Sequence, residues 1–330
     1  MNLPRPVQWL LWPLSLIYGA AVRLRARCFA SGLCKAKRLN GVVISVGNLT
    51  VGGTGKTPLV MWLAERLRAQ NRRVGILSRG YRGTGAVSDE VAMMADRLGD
   101  VVAFGVGPDR YEHGMGLAAK GIETFILDDG FQHLQLARDA DVVTLDATDA
   151  FGGGFLLPAG RLREPRAALA RADVVVITRA HKAPALESVV RRHTQAPIFY
   201  AAAKLEGMFT FVDRQPADLS GKPLFAFCGI GNPRAFFDDL SRWGFDVTGT
   251  ATFRDHHVYS SEDARVLCER ARRAGAAALV CTEKDSHNFS GVTQWDVPVY
   301  FARISLEVLE GNALLDAVHS IAQRKRGRAS

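Results

Sequence analysis

The sequence predicts an α/β protein: a parallel sheet with helices on both faces, a smaller α/β domain behind it and an apolar helix in front. Three observations carry this. Short β-branched runs such as Val42–Val46, Val74–Ser78, Val142–Leu145 and Val174–Ile177 alternate with helix-length stretches, and continuous apolar runs of that length are strands buried on both faces. A chain of 330 residues is more than one core usually takes and favours two domains. From Pro6 to Val22 there is no charged residue.

The leading stretch, residues 1–30, holds Trp9, Leu10, Leu11, Trp12, Leu14, Leu16, Ile17 and Tyr18. It falls short of the roughly 20 apolar residues of a spanning helix, and Pro13 interrupts it. A secretory signal fits poorly, because the arginines Arg23, Arg25 and Arg27 follow the apolar run while only Arg5 precedes it. Aromatic and leucine side chains with a basic flank describe an interfacial helix meeting anionic headgroups. The bland alternative is a helix packed on the protein's own core, for which two tryptophans and three arginines are poorly suited.

Residues 31–204 form the main domain. Its first strand, Val42–Val46, empties into Thr50-Val51-Gly52-Gly53-Thr54-Gly55-Lys56-Thr57. This is the strand–loop–helix setting of a Walker A phosphate loop. The glycines let backbone N–H groups curl round an anion, the helix N-terminus adds partial positive charge, Lys56 reaches the β/γ-phosphates and the Thr57 hydroxyl holds Mg²⁺. Thr50 stands where the motif has its first glycine.

Next come strand Val74–Ser78, the loop Arg79–Gly83, a helix from Glu90 to about Leu98, strand Val101–Phe104 and helix Pro108–Lys120, with proline near its start. Strand Thr124–Leu127 ends in Asp128-Asp129. An apolar strand ending in aspartate is weak alone, but roughly 70 residues after a Walker A loop it reads as the carboxylate delivered to the Mg²⁺ of the phosphates. Gln132 and His133 add a polar pair at the same rim. Strand Val142–Leu145, helix Pro165–Ala170, strand Val174–Ile177, helix Pro184–His193 and strand Ile198–Tyr200 follow. Ser88-Asp89-Glu90 is ambiguous on spacing: a helix cap with first-turn acids, or a general base beside a metal-shell carboxylate.

Residues 205–330 read as the smaller domain, with strands Pro223–Phe227, Phe245–Thr250 and Ala278–Cys281, helices Pro233–Arg242 and Ser261–Ala274, and a last helix from Asn312 to about Gln323. Gly229-Ile230-Gly231 lacks the third glycine of a dinucleotide fingerprint. This domain is expected to close over the first, with Lys204–Val212 and Val299–Ile304 as links.

A net charge of +9 points to an anionic partner: nucleic acid, a phosphorylated ligand or lipid headgroups. The basic run Arg324-Lys325-Arg326 with Arg328 reads as solvated surface. Five cysteines, an odd number without C-x-x-C spacing, argue for a reducing compartment with neither a disulfide framework nor a zinc site. After strand Val174–Ile177 the chain reads Thr178-Arg179-Ala180-His181, not the N-K-x-D of guanine-specific proteins.

Taken together, VGNLTVGGTGKTP, ILDDGFQH, SRGYRG at Ser78–Gly83, LLPAGRLREP at Leu156–Pro165, FCGIGNPRAFF at Phe227–Phe237, FRDHH at Phe253–His257 and TEKD at Thr282–Asp285 resemble the tetraacyldisaccharide 4′-kinase family of lipid A biosynthesis. The resemblance covers nearly the whole chain. It implies transfer of the ATP γ-phosphate, with Mg²⁺, to the 4′-hydroxyl of an acylated glucosamine disaccharide 1-phosphate at the cytoplasmic face of the inner membrane, with no nucleic acid and no obligate protein partner. It also implies a base at Asp89 with a histidine partner, taken as His256 and not His257. Thr57, Asp128, Asp129 and Glu90 become the metal candidates, and Gln132, His133, Arg161 and Arg163 the substrate contacts. Ser88 and Val91 replace the family's usual glycine and proline around the acidic pair. Two other readings stand beside this one: a partner-regulated P-loop NTPase, and a basic membrane scaffold with a relic nucleotide site.

Overall fold

A computed structural model describes residues 4–80, 88–289, 292 and 294–327. Tyr81, Arg82 and Gly83 of the SRGYRG stretch and Arg328 of the basic run lie outside the described residues. Along the chain run α1 (Arg5–Ala30), β1 (Val42–Asn48), α2 (Lys56–Ala69), β2 (Val74–Ser78), α3 (Asp89–Leu98), β3 (Ala103–Val106), α4 (Arg110–Ala119), β4 (Thr124–Asp128), β5 (Ala140–Asp146) and β6 (Val174–Thr178). They are followed by α5 (Pro184–Arg191), β7 (Ile198–Thr210), β8 (Pro216–Ala217), β9 (Pro223–Cys228), α6 (Pro233–Arg242), β10 (Asp246–Thr252), α7 (Ser261–Arg273), β11 (Ala278–Thr282), α8 (Glu283–Ser286), β12 (Val299–Val308) and α9 (Gly311–Gly327). These elements form two compact units, one drawn from residues 4–80, 98–202 and 306–327, the other from 88–97 and 203–305.

The first unit is built on a parallel sheet ordered β7-β6-β5-β1-β4-β2-β3. Its strands are near-continuous Val, Ile and Leu, and β2, β4, β5 and β6 are buried at every residue, as a sheet covered on both faces demands. Helices α2, α4 and α9 pack on it. Because β1 lies between β4 and β5 and all three are parallel, their carboxyl ends share one edge, where ligands of open α/β sheets bind.

Helix α1 belongs to this unit and runs unbroken through Pro13. The expected interruption is absent: Pro13 lacks one N–H, but the helix continues on either side of it. Its buried residues are Ser15 and Gly19, the reverse of an ordinary amphipathic helix. Ser15 Oγ donates to the Leu156 carbonyl at 2.9 Å and accepts from the Ala159 N–H at 3.1 Å. A Cβ on Gly19 would meet Leu156 Cδ1 at 2.7 Å, so a larger residue there would have to push the end of that leucine aside. The large side chains face away, with Trp9 68%, Leu10 79% and Ile17 69% exposed. By length and composition this helix is apolar enough to cross a membrane.

The second unit has parallel strands in the order β10-β9-β11-β12, with α6 against β10 and α7 against β11. A cluster of Phe227, Tyr259, Phe289 and Phe301 fills its centre. Helix α7 opens on a reciprocal capping box between Ser260 and Asp263. Helix α3 belongs mainly to this unit and is separated from it in sequence by the rest of the first unit's sheet. Arg97 fastens it there, donating to the Ile304 carbonyl at 3.0 Å and pairing with Glu206 and Glu283. The region 166–171 is a 3-10 helix, and the strand expected at Ile198–Tyr200 continues to Thr210 as β7.

Candidate active site

In the first unit, β1 ends at Asn48 and the chain turns through Gly52 and Gly55, whose φ values of 121° and 82° are readily adopted only by glycine. Gly55 is the N-cap of α2, so the free N–H groups of the helix start face the loop's interior. The loop is fixed from beneath. Thr54 Oγ1 lies 2.9 Å from Asn48 Nδ2 and 2.8 Å from Thr144 Oγ1, and the Thr178 hydroxyl donates to the Thr54 carbonyl at 3.0 Å. Thr50 is buried and forms a bridge with Leu162. It is not among the residues with positive φ, so this loop does not need glycine there.

The register Val46↔Asp128 brings the end of β4 beside the root of the loop. Asp128 is buried and accepts from Ser78 Oγ at 3.2 Å. Asp129 sits in the left-handed region at φ 49°, which aspartate adopts more readily than most residues with a side chain. Arg163 donates to both of its carboxylate oxygens at 2.8 and 2.7 Å, and Lys56 Nζ stands 3.6 Å away. The protein around Asp129 disfavours its charge, but Lys56 and Arg163 outweigh this and hold its pKa below the usual carboxylate range.

The other expected substrate contacts are largely engaged inside the unit. Arg161 donates to the Val51 carbonyl at 3.0 and 2.9 Å and pairs with Asp149 at 3.0 Å, bracing the phosphate loop. Gln132 Nε2 donates to the Asn48 carbonyl at 2.9 Å and to Glu164 at 3.1 Å. Burial, reinforced by Arg110, Arg138 and Arg25, pulls the His133 pKa down to about 4, leaving a neutral imidazole at neutral pH. Gln132, Arg163 and Glu164 line a cavity of about 150 Å³ together with Tyr18, Val22 and Arg25 of α1.

In the second unit, Asp89 opens α3 and is buried, with both carboxylate oxygens 2.9 Å from His256 Nδ1. Asn288 Nδ2 donates to the same carboxylate at 3.1 Å, and the Glu90 N–H donates at 2.9 Å. Burial opposes the charge on Asp89, but His256, Lys284 and Asn288 overcome it and take the pKa down to about 2. Lys284 Nζ lies 3.1 Å from Asp255, 3.3 Å from Glu90, 3.8 Å from Asp89 and 3.4 Å from His256 Nε2. Burial works against the lysine's charge, yet the three carboxylates raise its pKa. The hydrogen bond to Asp89 raises the His256 pKa, against burial and Lys284. With a protonated lysine at Nε2, the neutral imidazole carries its proton on Nδ1, facing Asp89. His257 points elsewhere, to Asp263 at 3.1 Å.

The family model for tetraacyldisaccharide-1-P 4′-kinase matches residues 7–323. The chain belongs to this kinase family. It is 40% identical to the tetraacyldisaccharide 4′-kinase of Geobacter metallireducens over 97% of this chain and 99% of that one. The relative of the same name from Geobacter sulfurreducens is 40% identical, covering 92% and 91% of the two chains. The crystal structure of LpxK from Aquifex aeolicus in complex with ATP is similar at TM-score 0.72 and 30% identity, over 95% of this chain and 99% of that one. As a member of the tetraacyldisaccharide 4′-kinase family, the chain is an ATP-dependent kinase with a mostly parallel α/β fold.

Three residues of this kinase's second unit escape sequence reasoning. Lys284 lies in TEKD, a stretch noticed without a role, and Asn288 has no motif at all. Asp285 is fully buried, where burial raises its carboxyl pKa, and it accepts from the Gly229 N–H and the Tyr259 hydroxyl, both at 2.8 Å. Gly229 in turn accepts from the His256 N–H at 3.1 Å. That chain of bonds holds His256 at φ 60°.

Proposed function

We propose that this protein transfers the γ-phosphate of ATP to the 4′-hydroxyl of tetraacyldisaccharide 1-phosphate, giving lipid IVA. The carrying observation is the Asp89–His256 pair: a buried carboxylate kept ionised and fixed by an imidazole. A sugar hydroxyl is a poor nucleophile, and a fixed carboxylate of this kind orients it and accepts its proton.

In the transfer, the 4′-oxygen bonds to the γ-phosphorus, the bond from that phosphorus to the β–γ bridging oxygen breaks, and the hydroxyl proton passes to Asp89. A carboxylate with pKa about 2 is a weak base. Phosphoryl transfer runs through a loose transition state in which the hydroxyl proton leaves late. Asp89 therefore orients the hydroxyl first and accepts its proton as the new bond forms, while His256 holds the carboxylate in place. The phosphate loop binds the nucleotide, with Lys56 carrying the charge that the γ-phosphate develops.

Mg²⁺ fits the donors present. Thr57 and Asp128 would hold it, with phosphate oxygens and water filling the remaining positions, as is usual for this ion. Among the described residues no cluster of three or more His, Cys, Asp or Glu is placed to hold a metal ion. When bound it neutralises phosphate charge. Asp129 is paired with Arg163 and Lys56, and Glu90 with Lys284; Asp128, at the end of β4 beside the root of the loop, is the carboxylate placed to reach an ion on the phosphates.

The exposed apolar face of α1 and its basic end seat the enzyme on the cytoplasmic surface of the inner membrane, where the substrate resides. The deciding assay follows labelled phosphate from ATP onto the acylated disaccharide, against a sugar without acyl chains. Labelled lipid is expected. Nucleotide hydrolysis that needs a protein partner and yields no labelled lipid would sink the proposal.

A further inference from the structure

Cys28 stands in the last turn of α1 and Cys34 in the segment that follows. Their sulfurs are 2.9 Å apart, the Cys34 thiol donating to Cys28 Sγ. The backbone reinforces the approach: the Cys34 N–H donates to the Cys28 carbonyl at 2.9 Å, and Gly32 makes the reversal between them at φ 78°. Both thiols are free and half-buried, whereas Cys228, Cys268 and Cys281 are buried in the other unit. Arg25, one turn earlier, favours thiolate at Cys34, while the hydrogen bond from Cys34 to Cys28 holds its proton on and raises its pKa.

We infer that Cys28 and Cys34 form a dithiol–disulfide site that exchanges with small disulfides such as oxidised glutathione. One thiolate attacks a sulfur of the small disulfide and releases a thiolate. The second cysteine then attacks the mixed disulfide, forms the Cys28–Cys34 bond and releases the other small thiolate. Two protein thiols are oxidised, one small disulfide is reduced to two thiols, and no other reactant is needed. Bond formation requires the sulfurs to close to about 2.05 Å, less than an ångström of travel between side chains already in contact. In a reducing compartment the pair rests as the dithiol. Oxidation would tie the last turn of α1 to the chain behind it, one turn from Arg25, which donates to the Gln132 carbonyl at 2.9 Å.

The sequence gives a clean readout, because trypsin cutting after Arg27 and Lys35 puts both cysteines on the single peptide 28–35. The full-length protein is equilibrated with oxidised glutathione, quenched in acid, digested and weighed. A peptide 28–35 lighter by two hydrogens is expected, forming faster at alkaline pH. In Cys28→Ser and Cys34→Ser the light form should vanish and a single glutathione adduct replace it. An unmodified peptide 28–35, a stable adduct in the unsubstituted protein, or a cross-link to another peptide would each overturn the inference.

Discussion

His256 Nδ1 stands 2.9 Å from both carboxylate oxygens of Asp89 although 167 residues separate them in the chain. The histidine reaches that position on a left-handed backbone, φ 60°, anchored by Gly229 and, behind it, Asp285. A side chain in this region costs of order 1–3 kcal/mol and persists only where its surroundings enforce it. Such over-determination is expected where one geometry matters. Asp89→Asn should therefore cut turnover by about 10²–10⁴-fold, the usual share of a positioned acid–base group. His256→Gln should cost less, since it removes the partner and leaves the carboxylate. The double variant should be little worse than Asp89→Asn alone, because groups acting as a unit are not additive. Steady-state kinetics with ATP binding measured separately checks this; fully additive losses would mean that the two residues act apart.

Lys284 sets the electrostatics of that pair. Its ammonium faces His256 Nε2 at 3.4 Å and opposes protonation of the ring, while Asp89 and Asp255 favour it. Lys284→Met should move the His256 pKa further up and the acid limb of the pH–rate profile with it. Ring-proton NMR titration of His256 reads the shift directly, and a downward movement would contradict the assignment of Lys284 as the opposing charge.

The same pair ties stability to pH in both directions. The Asp89 pKa falls from 3.8 to about 2 on folding, so its contribution is present above the unfolded value and is lost as pH falls toward about 2. The shift corresponds to about 2 kcal/mol. The His256 pKa rises on folding from 6.5, so its contribution is complete below that value and disappears as pH climbs through the folded pKa. Urea unfolding should thus show a larger penalty for His256→Gln at about pH 5 than at about pH 9. An equal penalty at both would mean that the imidazole gains nothing from its charge.

Two glycines of the phosphate loop should answer differently to the same substitution. Gly55→Ala forces a side chain into φ 82° with its Cβ 3.1 Å from Thr178 Cγ2. A left-handed residue with a Cβ costs roughly 1–2 kcal/mol, and the distortion falls where the first N–H groups of α2 face phosphate. Gly53 has open space around its would-be Cβ and an ordinary φ, so Gly53→Ala should leave stability nearly unchanged. Thermal melts with and without ATP separate the two, and equal ATP-induced stabilisation in both variants would remove Gly55 from nucleotide binding.

How much of this was legible in the sequence follows from how local the signals are. The strands around the phosphate loop are runs of Val, Ile and Leu that can only be buried, and the loop's glycines cluster between Gly52 and Gly55, so sheet and loop could be read directly, with Asp128 as the end of its strand. Asp89 and His256 could be paired only through likeness to a family, since no periodicity links residues so far apart. Lys284, Asn288 and Asp285 converge by tertiary packing alone. The grouping of α3 with the second unit rests on Arg97 contacts that no local pattern announces. Pro13 misled because a proline removes one hydrogen bond and crowds the carbonyl four residues back, yet the 26-residue helix continues through it.

Helix α1 yields a prediction because its burial is inverted. Ser15 and Gly19 face the protein, while Trp9, Leu10, Trp12, Leu14, Leu16 and Ile17 are exposed. Water gives such a face no reason to persist: burying apolar surface is worth about 25 cal/mol per Å², and a large side chain contributes about 1.5–3 kcal/mol. Replacing Trp9 and Leu10 together by serine should weaken binding to phosphatidylglycerol-containing vesicles by about 10²-fold or more, with the melting temperature unchanged because neither residue is packed inside the protein. Arg27→Gln, at the basic end, should weaken binding by several-fold and only at low salt, where screening leaves the headgroup attraction intact. Sedimentation with vesicles of matched anionic and neutral composition distinguishes the two terms. If the serine variant sediments like the parent, the apolar face serves some other contact than lipid.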